Sequence, residues 1–488
     1  MYKPFIQYNI KDTFIYRKRG IYMSHNSTHK RSSFTGSIGF VMAAAGSAVG
    51  LGNIWRFPYL AAKNGGGTFI FVYIILALTF GFALLTTEIA IGRKTKQGPL
   101  TAYSVLNKKF ACTGLFAWLV PVIILPYYCT IGGWVLKYLF AYITGDGANA
   151  ATDGYFTGHI TSQWSPIIWL IIYLGLTAFV VFSGVNKGIE KYSKIIMPIL
   201  IVLILGISFF SLTLNHTDAE GVTRTGLEGL KIYLVPSFAG MTLKGFFSLL
   251  MDAVGQLFFS ISVAMGIMVA YGSYVKDDVN LMKSINQIEF FDTLVAMLAG
   301  LMIIPAVFTF MGVEGMSAGP GLMFVSLPKV FDAMGSIGIF IGILFFLMVS
   351  FAAVTSSVSV LEAIVSGIMD KWKFSRKKST ALATAYALIV GIIVCLGYNI
   401  FYFEYELPNG SIAQILDIMD YLSNNIMMPL VAILTCILIG WIVKPDTIIS
   451  EVTKNGERFG RRGLYIAMIK FITPVFLIIL LLQSLGII

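Results

Sequence analysis

Asp292 is a carboxylate set inside a long apolar run, and an acid at membrane depth is functional by default because burying it is expensive. Two other oxygen-bearing side chains sit in similar surroundings. Asn53 follows Gly52 in AAAGSAVGLGNIWRFP, and Ser260 lies in GQLFFSISVAMG. An acid, an amide and a hydroxyl form the all-oxygen company that a hard ion such as sodium wants. The same two runs carry Gly46, Gly50 and Gly52, and Ser262 and Gly266, at mid-depth; Arg56 is a charge still within the first. Irregular backbone at that depth survives where it lines a cavity. Broken helices present N–H groups that attract a carboxylate and free carbonyls that coordinate a cation. Gly-rich helices also pack closely, so each run alone has a plain packing reading. Read together, the residues point to a cation beside a small anionic ligand.

The elements that position these groups are membrane spans. The chain is 57% apolar and 12% charged, with a mean hydropathy of +0.81, whereas a soluble domain is about 25% charged. At roughly twenty residues per span, eleven are expected: 38–58, 68–92, 114–142, 166–184, 188–212, 246–274, 285–312, 336–370, 379–399, 411–441 and 465–486. They must be helices, because a lone strand leaves its backbone unpaired in lipid. Residues 315–335, apolar but rich in Gly and Pro, read as a re-entrant or surface hairpin. With the N-terminus inside, the loops facing the cytoplasm hold 27 of the 35 Lys and Arg. This positive-inside bias places the N-terminus in the cytoplasm and the C-terminus outside. The interrupted spans 1 and 6 are five apart, as in an inverted five-helix repeat. The expected fold class is therefore an all-α polytopic membrane protein. Residues 1–37 form a tail, with 1–22 an over-called start or loose segment because Met23 offers a second start. A transporter domain spans 38–488, with repeats at about 38–212 and 246–441 and the eleventh span about 465–486.

Other classes fit poorly. The net charge of +11 sits in short loops between spans, which speaks for topology and against a nucleic-acid partner. Cys112, Cys129, Cys395 and Cys436 have no metal or disulfide spacing. No span contains His, and no nucleophile, acid–base or metal cluster suggests an enzyme. The N-terminal residues lack the apolar core of a signal peptide.

At these residues the chain resembles the neurotransmitter:sodium symporter family, in its bacterial, eleven-span amino-acid transporters. The resemblance rests on GSAVGLGNIWRFPYLAAKNGGGTF, PYYCTIGGW (126–134), NKGIEKYSKIIMP (186–198), GQLFFSISVAMG (255–266), TSSVSVLEA (355–363) and ILDIMDYLSNN (415–425). It implies two sodium sites. The first would use the Ala48 carbonyl, Asn53, Ser260, Asp292 and the substrate carboxylate. The second would use the carbonyls of Gly46, Val49 and Ala352 with Thr355 and Ser356. The substrate carboxylate would meet the Leu51–Gly52 backbone and the Tyr128 hydroxyl, and its ammonium carbonyls near Ala48, Phe259 and Ser262. Ile124, Phe259, Ser262, Met265, Ser356 and Val360 would form the side-chain pocket. Arg56 and Asp420 would close the outer side as an ion pair over Tyr128 and Phe259, with Gln256 nearby; Arg31 and Asp370 would close the inner side. Gly188 and Pro198 weaken span 5, which would let water reach the second sodium site.

The resemblance implies sodium-coupled uptake of a hydrophobic, aliphatic or aromatic amino acid by alternating access, in a bacterial inner membrane. The competing reading is a membrane sensor that binds an amino acid without moving it. Membrane lipid is the other expected partner, and no organic cofactor is expected. Two departures carry weight. The chain ends after an eleventh span, which puts a dimer contact through a twelfth in doubt. Asp292 stands where Asn is frequent, and its fixed charge would repel chloride, so chloride dependence is not expected.

Overall fold

Backbone groups in lipid must pair within their own segment, and the long apolar runs do so as helices. The computed structural model describes residues 32–238, 241–315 and 321–487. Arg31 and the expected tail segment 1–22 lie outside these residues. Residues Ser33–Ile488 form one compact unit. Among the described residues, nine helices are long and apolar enough to cross a membrane. A bent pair, Ser37–Ala48 and Gly52–Lys63, meets at 54° and makes span 1. Span 6 consists of Leu243–Ser260 and Ile267–Ser273, joined by non-helical residues 261–266. The nine helices and the bent pair make ten segments that can cross a membrane, and the interrupted segment 243–273 stands where the sixth of the eleven expected spans falls. Spans 2 to 5 are Gly67–Thr95, Lys108–Ile143, Ser165–Phe182 and Val185–Leu212. Spans 7 to 11 are Leu281–Met311, Ser336–Trp372, Arg376–Leu396, Ile415–Ile442 and Arg462–Ser484.

Two boundaries move for identifiable reasons. Span 1 runs past Pro58 to Lys63, because a wider π-type turn at Gly52–Arg56 precedes the proline and lets the helix continue. Span 10 begins at Ile415 and not at 411, since Ile412–Ala413 is extended and pairs antiparallel with Tyr405–Glu406. The Gly- and Pro-rich stretch after span 7 holds two short turns, Val313–Gly315 and Leu322–Ser326, and the helix Leu327–Ala333.

Spans 3 and 8 approach closely through small residues, as membrane helices do where apolar surface alone gives no preference. A Cβ on Gly342 would lie 2.3 Å from the Tyr142 ring, and one on Gly367 would lie 2.4 Å from Trp118. On the basic side of the molecule, ion pairs tie the ends of spans together. Arg93 at the end of span 2 is fully buried; its Nε donates to Glu451 Oε1 at 2.7 Å and its Nη1 to the Val279 carbonyl at 2.8 Å. Glu451 belongs to Asp446–Val452, the helix after span 10. Arg461, just before span 11, donates to Glu289 (2.8 Å) and Asn286 (2.7 Å) of span 7.

Removing one partner of a buried pair strands the other charge and costs about 3–5 kcal/mol, whereas an apolar pair in its place is tolerated. Arg93→Met is therefore expected to lower the melting temperature of the purified protein strongly, and Arg93→Met with Glu451→Leu to recover most of the loss. Equal melting of the single and double variants would show that the pair is not the source of the stability.

Candidate functional site

The two breaks face each other, and side chains from other spans satisfy the backbone of each. Span 1 loses its helix at Val49, with φ −75° and ψ 84°. The nearby Ser47 carbonyl accepts from the Ser262 hydroxyl of span 6 at 3.1 Å and from the Ser356 hydroxyl of span 8 at 2.9 Å. In span 6, Ser262, Ala264 and Gly266 all take positive φ, at 53°, 61° and 70°. Left-handed backbone at non-glycine residues costs of order 1–3 kcal/mol each and persists where the surroundings impose it. Here the Ala264 N–H donates to Glu88 Oε1 of span 2 at 2.7 Å.

Beside the breaks, Asp292 Oδ1 accepts from Ser260 Oγ at 2.6 Å and Asn53 Nδ2 at 2.9 Å, while the Tyr73 hydroxyl donates to Ser260 at 3.1 Å. Asn53, Ser260 and Asp292 are fully buried. The remaining oxygens, Asn53 Oδ1 and Asp292 Oδ2, have no hydrogen-bond partner. A buried carboxylate oxygen and a buried amide oxygen left bare cost free energy unless a cation meets them. The donor set thus fits the first expected sodium site. For the second, a Cβ on Gly46 would lie 3.4 Å from Thr355 Cβ, so spans 1 and 8 meet there. Thr355 Oγ1 donates to the Ala352 carbonyl at 3.0 Å, and Val49 marks the break.

A small cavity adjoins these groups. Of the expected substrate residues, Ala48, Gly52, Ile124, Tyr128, Phe259, Ser262, Met265, Ser356 and Val360 line it. Leu51 is not among the lining residues; its N–H faces the Tyr128 hydroxyl at 3.4 Å. Gly50 lines it too, and Ser47 and Ile267, which sequence does not single out, complete the wall. A Cβ on Gly50 would lie 2.6 Å from Ser356 Oγ and 3.2 Å from the Tyr128 hydroxyl, so position 50 has no room for a side chain as the site stands.

The expected gates need correction. Arg56 and Asp420 make no contact within ion-pair distance. Arg56 lies over the Phe259 ring at 5.8 Å, a cation–π contact. The Asp420 carboxylate accepts from the Asn424 amide at 2.6 Å. Arg56, Phe259 and Asn424 line a vestibule on this side of the molecule. Gln256 is not a vestibule residue. It is fully buried and donates to the Gly52 carbonyl at 3.1 Å, bracing the break in span 1. Asp370 accepts from the Gly98 N–H at 2.5 Å; its expected partner Arg31 lies outside the described residues. Gly188 falls in a π-type turn, Val185–Glu190, ahead of the helix that carries Pro198.

Glu88 escaped the sequence reading, although the signal that singled out Asp292, an acid deep in an apolar span, applies to it equally. Its second carboxylate oxygen is buried without a partner.

Comparison with known proteins places this geometry in a family. The family model described as the sodium:neurotransmitter symporter family matches residues 31–163 and 156–487. A sodium-dependent transporter of Bacillus subtilis, YhdH, is 34% identical over 94% of this chain and 99% of its own length. The sodium- and chloride-dependent GABA transporter 2 of Homo sapiens is 25% identical over 78% of this chain and 69% of its own. The crystal structure of MhsT in complex with L-phenylalanine superposes with a TM-score of 0.81 at 33% identity, covering 93% of this chain and all of that one.

Since Glu88 supplies the acceptor for the strained segment of span 6, Glu88→Leu strands the Ala264 N–H and is expected to cost about 1–3 kcal/mol. Glu88→Gln keeps an acceptor oxygen and is expected to cost less. Thermal unfolding of both variants in detergent checks the order; equal stability of Glu88→Leu and the parent would remove Glu88 from this role.

Proposed function

The chain belongs to the sodium:neurotransmitter symporter family, and on that premise we propose that it carries a hydrophobic amino acid into the cell with sodium, by alternating access. The observation that carries the reading is the cavity beside the breaks. Its walls are Ile124, Phe259, Met265, Ile267 and Val360, with the hydroxyls of Tyr128, Ser262, Ser356 and Ser47 as its side-chain polar groups. No carboxylate, guanidinium or ammonium lines it to pair a charged substrate side chain, and burying one unpaired would cost several kcal/mol. Amine-selective members of the family carry an acid at the position that resembles Gly50. Here a side chain at Gly50 would collide with Ser356, which favours a substrate bearing its own carboxylate.

That carboxylate would sit at the broken backbone near Leu51 and Gly52, within reach of Tyr128. It would complete the first sodium site with Asn53, Ser260, Asp292 and the Ala48 carbonyl. The second ion would sit between Gly46, Val49, Ala352, Thr355 and Ser356. Met265 sets the upper size of the ligand, because its unbranched thioether can lie against an aromatic ring. A relative solved with L-phenylalanine and 33% identical supports the aromatic end of the proposed range, which runs from leucine to the aromatic amino acids. Each sodium ion entering contributes about 2.3 kcal/mol per 100 mV of membrane potential, before its concentration gradient. The proposed orientation follows the basic loops: N-terminus in the cytoplasm, C-terminus outside, in a bacterial inner membrane.

Binding and proteoliposome uptake should be measured for leucine, tyrosine, tryptophan, glycine, glutamate, lysine and dopamine, with sodium or potassium. The large apolar amino acids are expected to bind tightest and only with sodium. Tightest binding of glutamate, lysine or dopamine overturns the substrate class, tightest binding of glycine means a smaller pocket, and binding without uptake means a sensor.

Asn53→Ala removes one bare oxygen from the first ion site. It is expected to raise the half-saturating sodium concentration by about tenfold or more, since a hydrogen-bond-scale contact to a charge is worth about 1.5–3 kcal/mol. A sodium titration of uptake reads this directly, and an unchanged curve refutes the site.

Asp292 already brings a negative charge to the place where a second anion would sit, at the end of the Tyr73–Ser260 chain. Replacing chloride by gluconate is therefore expected to leave uptake unchanged. Strict chloride dependence would overturn that assignment.

A further inference from the structure

On the basic side of the molecule, the cationic residues divide into two groups. One group is matched by carboxylates of the protein itself: Arg93 by Glu451, Lys96 and Lys454 by Asp277, Arg461 by Glu289, and Arg462 by Asp446. The other group makes no ion pair with a described residue; Lys108 and Lys109 stand on the span 2–3 loop, and six more share two turns. Lys371, Lys373, Lys377 and Lys378 lie in KWKFSRKK, which joins spans 8 and 9, and Lys187 and Lys191 lie at the start of span 5. All six are exposed, and none makes an ion pair with a described residue.

The two turns are neighbours. Arg376, between the lysines of the first turn, donates to the Val181 carbonyl at the end of span 4 at 3.4 Å. A Cβ on Gly184 would lie 4.0 Å from Arg376 Cδ. Arg376 itself is committed inward, to Glu362 at 2.7 and 2.8 Å, so it anchors the turn and leaves the lysines outermost. Aromatic residues border the same place. Trp372 is 50% exposed and packs on Trp118 of span 3 with ring centroids 6.2 Å apart, and Phe179 near the end of span 4 is 60% exposed. Exposed Trp beside lysines is the composition of a membrane–water boundary.

A cluster of unmatched lysines held together at the edge of an apolar surface is electrostatically incomplete. Its complement is a fixed negative charge delivered at that depth, with apolar chains to cover Phe179 and Trp372. We propose that the adjoining span 4–5 and span 8–9 turns hold the headgroup of an anionic phospholipid, whose phosphodiester is met by these lysines and whose acyl chains run along spans 4 and 9. Basic clusters at the ends of spans bind anionic lipid in this way, each Lys near the surface adding to the attraction. The site does not depend on what the protein transports. In the orientation proposed above, it faces the cytoplasmic leaflet.

The test is native mass spectrometry of the full-length protein in detergent, titrated with phosphatidylglycerol or phosphatidylcholine. The unmodified protein is expected to retain phosphatidylglycerol preferentially. The combined variant Lys371→Gln, Lys373→Gln, Lys377→Gln, Lys378→Gln is expected to lose that retention by about tenfold or more. Lys108→Gln with Lys109→Gln, exposed lysines of the span 2–3 loop, is expected to keep it. Equal retention of the two lipids, an unaffected combined variant, or an equal loss in the Lys108 and Lys109 control would each overturn the proposal. Soluble glycerol phosphate should not displace the bound lipid; displacement at comparable concentration would mean a plain anion site and also overturns it. Should the combined variant fail to fold, the salt dependence of the unmodified protein decides. Phosphatidylglycerol retention must fall as sodium chloride rises while phosphatidylcholine retention does not, and a flat response refutes the proposal.

Discussion

A peptide group released from its helix in the middle of a membrane has no water to turn to. That constraint organises the structure around spans 1 and 6. The Ser47 carbonyl, next to the break in span 1, is taken by hydroxyls from spans 6 and 8. The Gly52 carbonyl is taken by Gln256, and the Ala264 N–H by Glu88. Each break is thus held by side chains from other spans, and the partners are themselves buried. Had these groups been left unpaired, the cost would approach the whole stability of a domain. The site is therefore the place where the helices are obliged to be in register, and the packing of spans 2 and 8 serves it.

Much of this was legible in the sequence, for physical reasons that differ by feature. The number and places of the spans follow from hydropathy because lipid admits few backbone solutions. The breaks were legible because Gly46, Gly50, Gly52 and Gly266 interrupt runs that are otherwise uniformly helix-forming. Most of the cavity wall came from resemblance: nothing about Ile124 or Val360 alone distinguishes a ligand contact from packing. Glu88 was overlooked although it carries the same mark as Asp292, a charge where charge is costly. The error at Arg56 and Asp420 has another origin. Opposite charges placed at one mouth suggest a pair, but sequence carries no distance, and in the structure Arg56 rests on the Phe259 ring while Asp420 accepts from Asn424. Gln256 was misplaced for a related reason: an amide near a gate reads as a gate residue, whereas its donor has a backbone carbonyl to satisfy.

The helices differ in how firmly the structure fastens them. On the basic side, span 2, the start of span 7 and the segment between spans 10 and 11 are joined by charged hydrogen bonds through Arg93, Glu451, Arg461 and Glu289. A second charged cluster, Glu362 with Arg376 and the Tyr274 hydroxyl, links spans 8 and 9 to the end of span 6. Breaking one buried pair costs more than shifting a packed surface, so these are the contacts that a rearrangement would keep. On the side of Arg56 the links are more exposed: Lys63 at the end of span 1 pairs with Asp252 of span 6 at 3.2 Å, and Arg56 rests on the Phe259 ring.

The placement of residues 46–53 makes ion and ligand inseparable in the proposed mechanism. Ala48 and Gly52 line the cavity, while Gly46 meets Thr355 and Asn53 meets Asp292 within the same short stretch. Whatever occupies the cavity therefore presses on backbone whose carbonyls and side chains face the ions. A cation at Asn53 and Asp292 would offset their bare oxygens and fix the geometry that the ligand carboxylate must find. A ligand in place would supply the charge that the cation lacks. By linkage the two effects are equal: sodium strengthens ligand binding by the same factor as the ligand strengthens sodium binding. Coupling of this kind requires no long pathway, only that one broken segment of eight residues serve both sites, as the chain between Gly46 and Asn53 would in the proposed mechanism.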